Sequence, residues 1–80
     1  MTAKYHKVTI RSMRTNKYLV LTQNNSHWTG DDGKATGFES VENALEYIRT
    51  NLLSKDKYHY HVTAFYTDKD GFLAWHYHYI

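Results

Sequence analysis

Two aromatic runs, Tyr58-His-Tyr-His-Val-Thr-Ala-Phe-Tyr66 and Phe72-Leu-Ala-Trp-His-Tyr-His-Tyr-Ile80, flank the polar stretch Thr67-Asp-Lys-Asp-Gly71. Aromatic and β-branched residues on both sides of an Asp/Gly turn predict a β-hairpin. Each arm carries a His-Tyr-His triplet, His59-Tyr60-His61 and His76-Tyr77-His78. Residues two apart on a strand share a face, so each triplet presents two imidazoles together. The turn decides whether the two pairs meet. A two- or four-residue loop around Lys69-Asp70-Gly71 brings His59, His61, His76 and His78 to one face. A three-residue loop with a bulge at Gly71 puts the pairs on opposite faces.

In the first case the histidines can hold one ion. Neutral imidazole suits zinc, and also nickel or copper. Neighbouring tyrosine hydroxyls would orient the rings, and His27, Asp31 or Asp32 could complete the coordination. Such a zinc would be structural, adding folding free energy to a small core. In the second case they are ordinary strand residues alternating with tyrosine.

Working back from the hairpin, Ser40 reads as a helix N-cap. Glu39 and Glu42 lie at the positive end of the helix dipole. Val41, Ala44, Leu45, Ile48 and Leu52 form one apolar stripe, with Glu42, Glu46 and Arg49 on the solvated side. The helix is expected from about Val41 to Leu53, ending near Ser54-Lys55-Asp56. Asn24 to Gly37 is dense in turn formers and reads as a loop, with Trp28 folding back as an anchor or facing a ligand. Tyr5–Ser12 and Lys17–Gln23 read as two strands joined at Arg14-Thr15-Asn16, a second hairpin. The expected fold is α+β, a four-stranded antiparallel sheet packed against one helix in the order ββαββ.

Eighty residues make a single domain, 1–80, whose core is marginal without a metal or a partner. There is no cysteine, which excludes disulfides and thiolate chemistry. No signal-peptide core or bilayer-length apolar run is legible, so a cytoplasmic location is expected.

The formal net charge is only +2, but it is unevenly spread. Lys4, Lys7, Arg11, Arg14 and Lys17 precede the first acid, whereas Asp31, Asp32, Glu39, Glu42, Glu46 and Asp56 crowd the middle. The basic hairpin could track a phosphate backbone through Lys4, Lys7, Arg11 and Arg14, while nearby rings stack on bases. The acidic flank, with Trp28, could instead dock on a basic protein groove. Eight tyrosines and two tryptophans exceed what one small core buries, so several must face outward, as at protein interfaces.

No phosphate loop, nucleophile elbow or His-Glu-x-x-His motif is present. Two His-x-Thr triplets, His27-Trp28-Thr29 and His61-Val62-Thr63, resemble the paired triplets of two-histidine phosphoesterases. The first of them falls in the expected loop, outside the context that chemistry needs. The expectation is therefore not an enzyme.

Taken whole, with an α+β pattern, no cysteine or proline, an acidic middle and a tyrosine-heavy surface, the chain resembles the small phage anti-CRISPR proteins that inhibit Cas9. That resemblance implies an inhibitory binding protein that engages a host Cas nuclease and blocks nucleic-acid access. The alternative is a small nucleic-acid-binding regulator using the basic hairpin.

Overall fold

The computed structural model describes residues 5–52 and 59–79. The expected helix end at Ser54-Lys55-Asp56, together with Lys4, Tyr58 and Ile80, lies outside them. Five strands form one antiparallel sheet: β1 (Lys7–Ser12), β2 (Lys17–Leu21), β3 (Ser26–Thr29), β4 (Tyr60–Thr67) and β5 (Leu73–His78). Their spatial order is β3-β2-β1-β4-β5, with β1 at the centre. One helix, α1 (Val41–Tyr47), continues through a wider π-type turn at Ile48–Leu52 and crosses one face. The order is thus βββαββ, and the four-stranded expectation is corrected by one strand.

The added strand is β3. Its four residues sit between Asn24-Asn25 and Gly30-Asp31, and those turn formers hide the strand in the sequence. Pairing with β2 sets it, with Leu19 opposite Trp28 and Val20 opposite His27. Trp28 then lies on the helix side, packed on the core edge and stacked on Tyr60 at 5.7 Å between centroids.

β1 and β2 pair only near their shared turn, Arg11 with Tyr18 and Ser12 with Lys17. Farther along, residues 36–38 supply the missing partners. The Thr36 N–H donates to the Leu19 carbonyl at 3.0 Å, and the Phe38 N–H to the Val8 carbonyl at 2.8 Å.

The helix starts where expected. The Ser40 hydroxyl accepts from the Asn43 N–H at 3.0 Å and so satisfies one of the free donors of the first turn. The apolar stripe covers the sheet: Ala44 and Ile48 are fully buried against Val8, Ile10, Leu19, Val62 and Ala64. Val41, Leu45 and Leu52 pack at the margin, and Glu42, Glu46 and Arg49 stay exposed.

Candidate contact face

The turn between β4 and β5 settles which residues share a face. The Asp68 N–H donates to the Phe72 carbonyl at 2.9 Å, and the Gly71 N–H returns to the Asp68 carbonyl at 3.0 Å. Gly71 has φ +86°, a left-handed conformation that suits glycine. The Asp68 carboxylate accepts from the Asp70 and Phe72 N–H groups, both at 2.9 Å. This is the three-residue loop closed by a glycine, and it fixes Val62 opposite His78, Ala64 opposite His76 and Phe65 opposite Trp75.

Two surfaces follow. Even-numbered residues of β4 and β5 face the helix, and odd-numbered ones face away from it. His61 is on the helix-free side; His76 and His78 are on the helix side. The four-histidine cluster therefore does not form. Among the described residues, no three His, Asp or Glu side chains gather closely enough to hold a metal ion. His76 and His78 instead bracket a tyrosine: the Tyr5 hydroxyl lies 3.2 Å from His76 Nδ1 and 3.5 Å from His78 Nε2. Tyr66 closes the group, 4.6 Å from His76 between ring centroids.

Among the described residues, the helix-free face is covered by its own side chains and, beside Lys7 and Phe65, by the turn at Asp32–Lys34. Thr9, Thr63, His61 and Phe65 lie buried at its floor. The Thr9 hydroxyl donates to the Thr63 carbonyl at 2.9 Å, and His61 Nε2 lies 3.0 Å from the Thr63 hydroxyl. Above them Tyr77 and Tyr79 meet the His61 ring edge-on at 4.7 and 5.4 Å, while Tyr18 and Trp75 lean on Phe65 at 6.3 and 6.5 Å. Burial pushes the His61 pKa down to about 4, and the charge of Arg11, its cross-strand neighbour, acts in the same direction. His61 is thus a neutral ring in the floor.

The lid itself is exposed. Leu73, Trp75 and Tyr79 retain 60, 49 and 61 % of their surface, Tyr77 retains 45 %, and Phe72 at the turn retains 70 %. Leu73, Trp75, Tyr77 and Tyr79 form one stripe along β5, with no charged side chain between Phe72 and Tyr79. Contiguous exposed rings of this kind are uncommon on the surface of a small domain.

Of the cations expected to follow phosphates, Lys7 and Arg11 are engaged. Lys7 Nζ donates to the carbonyls of Asp32 and Gly33 at 2.9 and 3.3 Å, and Arg11 donates to the Asn16 side chain at 2.8 Å. Arg14 is exposed in the β1–β2 turn beside a shallow hollow that Trp28 and Tyr60 also line.

The acids divide among separate elements. Asp31 caps a short 3-10 turn at Asp32–Lys34, accepting from the Gly33 N–H at 2.9 Å. Glu39 and Glu42 line an open groove of about 680 Å³ beside the helix start, together with Tyr5, Lys7 and His78. Glu46 pairs with Arg49 at 3.3 Å and accepts from Thr50 at 3.0 Å on the outer side of the helix.

The two His-x-Thr triplets both lie on strands, and His27, Thr29, His61 and Thr63 share the helix-free side. β2 and β1 separate them, a gap of roughly 14 Å at normal strand spacing. With His61 buried beneath Tyr77, the two triplets do not converge on one substrate atom.

Sequence reasoning anticipated that some of Tyr58, Tyr60, Tyr66, Trp75, Tyr77 and Tyr79 would be partly exposed, without saying which. It did not place Trp75, Tyr77 and Tyr79 on the face opposite the helix, because that depends on the Gly71 turn. Comparison with protein-family models, with curated proteins and with solved structures finds no match to this chain. Among the described residues, no helix is long and apolar enough to cross a membrane.

Proposed function

We propose that this chain is a non-catalytic binding protein whose contact surface is the aromatic stripe of β5. The observation that carries this reading is the exposure of Leu73, Trp75, Tyr77 and Tyr79 together on the face opposite the helix. Large amphipathic rings on a rigid strand give contact area at low entropic cost, which is why they dominate interface energetics. The stripe carries no charge, and Lys7 and Arg11 on the same face are tied to carbonyl and amide oxygens. Both features suit a protein partner better than a polyanion. The resemblance to phage inhibitors of Cas9 supplies the partner class, a host defence nuclease, and the expected effect, occlusion of its nucleic-acid path.

The experiment is a binding titration against purified Cas9 with three forms of the chain. The double variant Trp75→Ser/Tyr79→Ser is expected to lose at least tenfold in affinity, since two central rings of an interface are removed. The double variant Glu42→Gln/Glu46→Gln is expected to bind within about threefold of wild type, as rim charges contribute little. The reverse pattern would transfer the contact to the acidic helix flank. Tight, salt-sensitive binding of single-stranded oligonucleotides instead would favour the nucleic-acid reading.

A further inference from the structure

We propose that two copies of this chain associate edge to edge through β5, antiparallel, about a two-fold axis at His76. The outer side of β5 is paired with no described segment. The hydrogen-bond pattern shows what it offers. Asp68 and Phe72 form a bonded pair, so the alternation of an antiparallel ladder makes Ala74, His76 and His78 the residues that bond inward to β4. The N–H and C=O groups of Leu73, Trp75, Tyr77 and Tyr79 point outward. The same residues carry the exposed stripe.

Most free edges are guarded by charge, proline, a bulge or short length. The opposite edge, β3, is four residues long. β5 has six residues, no proline and no charged side chain. The unguarded edge is also complementary to itself. Setting Trp75 opposite Tyr77 of the second copy lets each such pair exchange two backbone bonds, and Leu73 falls opposite Tyr79. All four outward residues then find an outward partner, and every ring meets an apolar neighbour on the helix-free face. On the helix side Ala74 falls opposite His78, where a small residue leaves room, and His76 meets its own copy. The product is a single continuous ten-stranded sheet, five strands from each copy, with both helices on one side. Its other side doubles the aromatic stripe.

The absence of cysteine from the chain makes a clean test available. At a non-hydrogen-bonded antiparallel site the Cα atoms stand about 4.5 Å apart, within disulfide range. His76→Cys is therefore expected to give a covalent dimer under oxidised glutathione. Ala74→Cys, whose copies sit four residues out of register and roughly 13 Å apart, is not. Sedimentation of the unmodified chain at tens of micromolar is expected to show a dimer. Trp75→Pro should be monomeric with an unchanged circular dichroism spectrum, because the N–H it removes points away from β4. Trp75→Lys serves as a second edge block should the proline variant not fold. A folded wild-type chain that stays monomeric overturns the proposal, as does cross-linking at Ala74→Cys in preference to His76→Cys. No nuclease is present in these measurements, so their failure leaves the partner reading standing, and its failure leaves them standing.

Discussion

His61 shows how one side chain serves the fold without serving chemistry. It is 2 % exposed, lies beneath Tyr77 and Tyr79, and faces Arg11 across the ladder. In the unfolded chain it titrates near its ordinary value of 6.5, and in the folded protein near 4. Between those values the unfolded chain binds a proton that the folded chain refuses. Stability from this group is therefore fully present above about pH 6.5 and is lost as the pH falls towards 4, by at most about 1.4 kcal/mol per pH unit. His61→Phe keeps a ring under the tyrosines and removes the titration. Urea midpoints measured from pH 7.5 to 4.5 should fall more steeply for wild type than for this variant, and parallel curves would contradict the buried neutral ring.

Among the elements, the Asp68–Phe72 turn has the largest consequence. One residue at φ +86° selects the three-residue loop, and that loop sends His59 and His61 to a different face from His76 and His78. Gly71→Ala keeps the space, since nothing stands within 4 Å of a Cβ there, but forces an L-residue into the left-handed region. A loss of about 1–2 kcal/mol in urea unfolding is expected, and no change would mean that the turn is built otherwise. The sequence makes the hairpin legible through its β-prone arms and the helix through its Ser40 cap and its apolar spacing. It leaves open the parity of the hairpin, because loop lengths differing by one residue use the same Asp and Gly. β3 is hidden for a related reason: only the opposing residues of β2 make a strand of Ser26–Thr29. The candidate face was legible as ring content but not as a surface, since a face exists only once the register is set.

For the whole molecule, one helix covers one side of a five-stranded sheet, and among the described residues the other side is covered by its own side chains and the turn at Asp32–Lys34. Its rings fold over a floor of threonine, histidine and phenylalanine and remain half exposed. The proposed binding of a nuclease and the proposed pairing of two copies both draw on that arrangement, the first through ring faces and the second through the backbone edge. Each depends on the odd-numbered residues of β5 pointing outward from the helix and from β4. Residue-resolved amide hydrogen exchange at concentrations where the chain is monomeric reads this directly. Exchange is expected to alternate along β5, slow at Ala74, His76 and His78 and fast at Leu73, Trp75 and Tyr77. The opposite alternation would shift the hairpin register by one residue, gather the histidines on one face and contradict the account.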